Sequence, residues 1–385
     1  MTPYGKQDIN QADIDAVIDV LSSDFLTQGP QVLLFEKKMS NYCGSQFGVA
    51  TNSATSALHI ACLALELGHG DYLWTSPNTF VASANCALYC GAQVDFVDID
   101  PKTYNLCANE LEKKLQKASG TKKLPKIVIP VHFAGQSCNM ERIYQLSKEY
   151  GFKIIEDASH AIGGQYLGKP VGSCSYSDIT VFSFHPVKII TTAEGGLAMT
   201  NQSGLAEKMR LLRSHGITRA PELMTKQAVG GWYYQQIELG FNYRMTDIQA
   251  ALGISQMQRL SEFVEKRHVL QQRYHEYLKD LPIQLPYQSI DSYSALHLYP
   301  IQLDLECLRK THTQVFDKLR EGGLGVNLHY IPVHTQPYYQ KMGFREGDFP
   351  EAERYYSRAV SIPLYQGLSF EQQDDVVAVL EKVLQ

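Results

Sequence analysis

The chain has 385 residues, of which 44% are apolar and 19% charged, with a formal net charge of −5. That length exceeds one small core and suggests two domains, and the charge offers no basic field for nucleic acid. No apolar run approaches the roughly 18–20 residues of a membrane span, and the start, Met1-Thr2-Pro3-Tyr4-Gly5-Lys6, lacks the apolar core of a signal peptide. Eight cysteines scattered mostly among apolar neighbours read as buried thiols of a reducing cytoplasm rather than a disulfide framework. His59 and Cys62, and Cys86 and Cys90, have suggestive spacings, but a zinc site usually needs four ligands and no neighbouring pair completes either set, so no metal is expected.

The polar arm through about Asn10, carrying Pro3 and Gly5, is expected to run extended. Asn10 then caps a helix with Ile14, Val17, Ile18 and Leu21 on one face. Phe25 to Pro30 breaks it before a second helix running to Tyr42. Thr51-Asn52-Ser53-Ala54-Thr55-Ser56 is a hydroxyl-rich turn opening a helix, a place where backbone amides and a helix N-terminus receive an anion. Ordinary capping needs one such hydroxyl, and here several cluster. Pro77 to Ala82 opens another helix. Strand patterns at Val94–Val97, Ile127–Val131, Ile154–Ile155 and Ile179–Phe182 alternate with helices from Glu110 and Met140. Such alternation gives a mostly parallel sheet flanked by helices, an α/β architecture whose ligands bind beyond the strands' carboxyl ends.

Leu205 to Ser214 reads as a helix, and Gly216 to Phe241 as an irregular segment long enough to line a site. Thr246-Asp247-Ile248-Gln249 is a capping box opening a helix expected to run to about Leu281, before Pro282 and Pro286. The division expected is residues 1–245 as a large domain with its N-terminal arm, and 246–385 as a smaller α+β domain that includes this bridging helix. In the latter, strands are expected near Tyr299–Ile301 and Val326–His329, with helices from Leu308 and Phe370.

Two stretches carry chemistry. Ile154-Ile155-Glu156-Asp157 is a strand ending in an acid, and Ile179 to Phe182 leads into Ser183-Phe184-His185-Pro186-Val187-Lys188. A lysine in apolar company either snorkels or has its pKa lowered and becomes a nucleophile. Paired with a strand-end aspartate, it is what pyridoxal 5′-phosphate (PLP) needs: an amine to hold the cofactor, and a carboxylate to keep the pyridine nitrogen protonated.

These stretches, together with Glu194-Gly195-Gly196, Thr51 to Leu58 and Gly240-Phe241-Asn242-Tyr243-Arg244, resemble the DegT/DnrJ/EryC1/StrS sugar aminotransferases over nearly the whole chain. The resemblance implies the PLP-dependent aminotransferase fold type I. It also implies a homodimer with shared active sites, in which Asn242 crosses to the phosphate of the partner's cofactor. Lys188 and Asp157 are the implied catalytic residues. Ala54, Thr55 and Ser183 are expected at the cofactor's phosphate, Phe80 on its ring, and His160 near its phenolic oxygen. Tyr4, His185, His215, Arg244, His329 and Tyr330 are candidates for the substrate. The implied substrates are glutamate and a UDP-linked 4-keto-6-deoxy-N-acetylhexosamine of pseudaminic acid biosynthesis, aminated at C4. Lys188 holds the cofactor between turnovers and, as a free amine, carries the proton in both halves of the reaction. Two alternatives stay open here: an aminotransferase for another keto sugar or small ketone, or a PLP-binding regulator without turnover.

Overall fold

The computed structural model describes residues 1–385. Its centre is a sheet of seven strands: β1 (Phe47–Thr51), β2 (Tyr72–Thr75), β3 (Gln93–Phe96), β4 (Ile127–Ile129), β5 (Lys153–Asp157), β6 (Ile179–Ser183) and β7 (Gly196–Thr200), in the order β1-β7-β6-β5-β4-β2-β3. Only β7 runs against its neighbours. That antiparallel strand is absent from the sequence expectation, because Gly195-Gly196 reads as a turn. β6 is buried throughout and β5 except at Lys153, as strands covered on both faces must be.

Helices α1 (Gln11–Leu21) and α2 (Pro30–Cys43) precede the sheet. α3 (Ala54–Ala64), α4 (Ala82–Tyr89), α5 (Ala108–Ala118), α6 (Met140–Tyr150) and α7 (Ser203–Arg213) alternate with its strands. One apolar cluster joins α3 and α4 to one face of the sheet, and a second joins α2 to the opposite face of β1, β6 and β7.

α1 departs from its expected orientation. Asn10 and Asp13 form a capping box, but Ile14, Ile18 and Leu21 are exposed and the buried positions are Asp13 and Val20. The polar face turns inward because Asp13 accepts from Arg259 (2.6 Å) and from Gln256 Nε2 (2.7 Å). The expected single bridging helix is instead two, α8 (Asp247–Met257) and α9 (Leu260–Leu278), separated at Gln258 and Arg259. The capping box at Thr246 and Gln249 is present.

Beyond α9, Ile283–Gln284, Tyr299–Leu303 and Ala359–Ile362 form an antiparallel sheet. α10 begins at His312, capped by Thr311, rather than at Leu308, and α11 is Phe370–Leu384. The strand expected at Val326–His329 is displaced to Leu324–Gly325, leaving one bridge, Asn327 to Ser361. Its partner is the N-terminal arm: Thr2–Pro3 pairs in parallel with Leu324–Gly325, and the Leu364 N–H donates to the Tyr4 carbonyl (3.1 Å). The segment Gly216–Phe241 carries a short antiparallel pair, Ile217–Thr218 with Gln235–Gln236. No helix is long and apolar enough to cross a membrane.

Candidate active site

The sheet register brings three chain segments to one edge. Gly196 lies between Thr51 and Ser183, and Asp157 stands opposite Val181 on β6. Past Thr51, the Ser53 hydroxyl caps α3 by accepting from the Ser56 N–H (3.1 Å). The amides of Ala54 and Thr55, in the first turn, have no acceptor within the helix. Gly196 makes this turn possible, because a Cβ there would fall 2.4 Å from the Ser53 carbonyl and 2.5 Å from the Ala54 nitrogen. The result is a helix N-terminus, rich in hydroxyls, opening on a cavity of about 820 Å³ and suited to an anion.

At the deep end of the cavity Asp157 is 5% exposed. Its two oxygens have separate donors: the Ser83 hydroxyl (2.6 Å) and the Ser159 N–H (3.1 Å). Ser83 is itself paired with Thr79 (2.9 Å). Lys188 follows β6 on the loop that returns as β7, held by Thr192 N–H to Phe184 C=O (3.0 Å) and Phe184 N–H to Gly195 C=O (2.9 Å). Desolvation pushes the Lys188 amine down to about 8, and the nearby Asp157 carboxylate offsets part of that fall.

Two imidazoles and a phenol share this wall. The Ala134 N–H donates to His160 Nδ1 (3.3 Å), which leaves Nε2 to carry the proton toward the Tyr330 hydroxyl (3.1 Å). Burial, then the charges of Lys188 and His329, hold His160 well below the ordinary histidine range. Burial and Lys188 likewise push His329 down to about 3. The His329 ring is held between Ser361 Oγ (2.9 Å) and Asn327 Nδ2 (3.4 Å). Burial also raises the Tyr330 phenol, so it stays protonated.

Of the residues singled out from the sequence, Tyr4, Ala54, Thr55, Phe80, Asp157, His160, Ser183, His185, Lys188, His329 and Tyr330 all line this one cavity. Phe80 is 60% exposed, with its ring 6.3 Å from that of Tyr330. His215, Asn242 and Arg244 do not line it. Asn242 is exposed, though its carbonyl meets Asn52 Nδ2 (3.4 Å) and the neighbouring Tyr243 carbonyl accepts the Asn52 N–H (2.9 Å). His215 stands at the neck of the Gly216–Phe241 segment, its N–H bonded to the Phe241 carbonyl (2.9 Å). Sequence reasoning missed Ser83, whose spacing of four from Thr79 is its only sign, and His297, a lone histidine in the apolar run Ala295-Leu296-His297-Leu298.

The donor set fits PLP. It offers a near-neutral amine for an aldehyde, a buried and oriented carboxylate for a ring nitrogen, and free amides with hydroxyls for a phosphate.

Comparison with known proteins agrees. The model of the DegT/DnrJ/EryC1/StrS aminotransferase family matches residues 7–381. A Campylobacter jejuni protein named UDP-4-amino-4,6-dideoxy-N-acetyl-beta-L-altrosamine transaminase is 38% identical over 395 residues, spanning 100% of this chain and 98% of its own. Among solved structures, Helicobacter pylori PseC, described as an aminotransferase involved in the biosynthesis of pseudoaminic acid, superposes with a TM-score of 0.90 at 31% identity, covering 100% of this chain and 99% of its own. The sugar aminotransferase Spr1654 of Streptococcus pneumoniae, described as putative, superposes in its PLP form with a TM-score of 0.88 at 29% identity, covering 100% and 99%, and has also been solved in a PMP form.

Proposed function

The chain belongs to the DegT/DnrJ/EryC1/StrS aminotransferase family and is a PLP-dependent aminotransferase, and from that premise we propose that it aminates C4 of a UDP-linked 4-keto-6-deoxy-N-acetylhexosamine with glutamate as donor, as in pseudaminic acid biosynthesis. The observation that carries the chemistry is Lys188 beside Asp157 in one cavity, its amine pushed down to about 8. The names of the relatives support the substrate.

Bound PLP supplies an electron sink for the carbon that loses or gains a proton. Asp157 would hold the proton of the pyridine nitrogen, its carboxylate oriented by Ser83 and Ser159. Ala54, Thr55 and Ser183 would hold the phosphate, and Phe80 the ring face. Lys188 would anchor the cofactor and, once released, take a proton from the α-carbon of glutamate and deliver one to C4 of the sugar. With a pKa of about 8, about one amine in ten is unprotonated at pH 7, so Lys188 serves as either base or acid. Tyr4, His185 and His329 face the same space and are the proposed sugar contacts, while Tyr330 is paired with His160 on the wall beside Lys188.

The working unit we infer is a homodimer. Ile14, Ile18 and Leu21 of α1, together with Phe25, Leu26 and Leu33, are exposed, an apolar surface that a second copy would cover. Asn242, outside its own cavity, would complete the partner's, and His215 and Arg244 belong to the same proposed rim. The division at residue 246 is supported in part. A separate apolar cluster holds only residues from Leu270 onward, whereas α8 and the start of α9 pack on the cluster beneath Lys188. Cys43, Cys62, Cys86, Cys138 and Cys174 are free and buried, which supports placement in the reducing cytoplasm.

The test is a screen of UDP-, GDP- and dTDP-linked 4-keto sugars with glutamate. The UDP-linked 4-keto-6-deoxy-N-acetylhexosamine should yield 2-oxoglutarate and a product bearing a new primary amine at C4. Preference for another nucleotide, or amination of free keto acids alone, would overturn the substrate assignment.

A further inference from the structure

His297 is 4% exposed and lines the same cavity as Lys188. Its Nδ1 is sealed without a hydrogen-bond partner. Leaving a buried polar atom unpaired is unfavourable, a cost that an apolar side chain in this place would avoid. An orphaned buried N–H is rarer than an orphaned acceptor, so the proton belongs on Nε2. That nitrogen is neither sealed nor bonded within the protein, and the cavity is the space it faces.

The backbone that carries the ring is fixed on both sides. The His297 N–H donates to the Ala134 carbonyl (2.8 Å), while the Ala134 N–H donates to His160 Nδ1 (3.3 Å). The His297 carbonyl accepts from the fully buried Arg267 (3.2 Å). Gly135 permits this crossing, since a Cβ there would fall 2.7 Å from the Leu296 nitrogen and 2.9 Å from that of His297. The His297 and His160 rings are 4.4 Å apart. Because His160 Nε2–H is directed to Tyr330, the Tyr330 hydroxyl proton is released for the cavity. Burial, with the charges of Lys188, Arg267 and His329 nearby, keeps His297 neutral, so it acts as a donor and not as a cation.

Two neutral donors, His297 Nε2–H and Tyr330 O–H, thus share a wall with Lys188 and Asp157. In pyridoxal the oxygen-bearing ring carbon lies between the nitrogen end and the carbonyl-bearing carbon. The ring's other edge bears the phosphate arm, which the proposed site gives to Ala54, Thr55 and Ser183, so a wall of other residues between the carboxylate and the amine borders the edge that bears the oxygen. We propose that His297 is a further cofactor-binding residue, donating through Nε2–H, alongside Tyr330, to the ring oxygen, with His160 acting through Tyr330. This rests on the placement of Asp157 and Lys188 in one PLP site.

The test uses the apo-protein with two probes, pyridoxine 5′-phosphate and its 3-deoxy analogue, which lacks the ring oxygen; neither has a carbonyl for Lys188. Calorimetric affinities of wild type, His297→Phe and His297→Gln form a cycle between residue and oxygen. His297→Phe should weaken pyridoxine 5′-phosphate about tenfold or more, the scale of a hydrogen bond to a charged group, and leave the 3-deoxy analogue within about twofold. His297→Gln, which keeps a donor, should restore most of the loss. Should His297→Phe not fold, His297→Met fills the space without an N–H and is read the same way. An equal loss for both probes would show packing alone and overturn the proposal, as would no loss for either. Failure of the wild type to bind either probe would instead overturn the PLP site itself.

Discussion

The deep wall of the cavity and its rim are built on different terms. His297 apart, the wall is closed within one chain: Asp157 has a donor on each oxygen, and His160, Tyr330 and His329 each have partners. The rim is open, with Phe80 and His185 exposed and Asn242 outside the cavity altogether. Polar groups taken out of water must be satisfied where they sit, so the wall is fixed by its own sequence. A rim that, as proposed, meets substrate and a second subunit has no such requirement in the single chain. Catalytic chemistry should therefore respond to changes in the wall, and assembly and sugar choice to changes in the rim.

The largest effect that bears on this contrast is expected from Lys188→Ala. Turnover should fall at least 10²–10⁴-fold, the contribution of a positioned acid–base group, and the absorbance of the lysine-bound cofactor should vanish while circular dichroism is unchanged. A wild-type kcat in this variant would remove Lys188 from the mechanism. Asp157→Asn should retain cofactor but lower kcat by about a hundredfold, since a neutral amide cannot hold a protonated ring nitrogen; equal kcat values would refute that role.

The wall also predicts a pH dependence of stability in the apo-protein. His329 is pushed down to about 3, and His160 and His297 also lie well below the ordinary value of 6.5. Below pH 6.5 the unfolded chain therefore binds protons that the folded chain refuses. Stability is complete above 6.5 and falls as the pH drops toward 3. Each such group contributes a slope of roughly 1.4 kcal/mol per pH unit. Urea unfolding of His329→Phe between pH 4.5 and 6.5 should show a slope shallower by about that amount. An unchanged slope would mean that His329 takes up its proton in the folded state.

Ser83→Ala should have the smallest effect. It removes one charge-assisted donor from Asp157, on the order of 1.5–3 kcal/mol, and should lower kcat about tenfold with KM nearly unchanged. A rise in KM alone would place Ser83 in substrate binding instead.

The legibility of the sequence follows the same divide. Asp157 is readable because it ends a strand pattern, Lys188 because it follows one among apolar neighbours, and the hydroxyl cluster at Ser53 to Ser56 because a single cap would not need it. Ser83 and His297 are not, since their partners, Asp157 and Ala134, are 74 and 163 residues away in the chain. The inward turn of Asp13 on α1 depends on Arg259, which no periodicity can show. The break between α8 and α9 has no Pro or Gly to announce it. The displaced strand at Leu324–Gly325 is set by the N-terminal arm from the far end of the chain.

The claim that one chain's wall works with another chain's rim is tested most directly by complementation. Lys188→Ala and Asn242→Asp are each expected to be inactive, and their mixture is assayed after subunit exchange has been verified with two affinity tags. A mixed dimer holds one site with Lys188 and Asn242 both native, and one with both changed. With random exchange at equal concentrations, about a quarter of all sites are native, and activity should return to about that fraction of wild type. Verified exchange between two inactive variants with no return of activity would contradict the shared site.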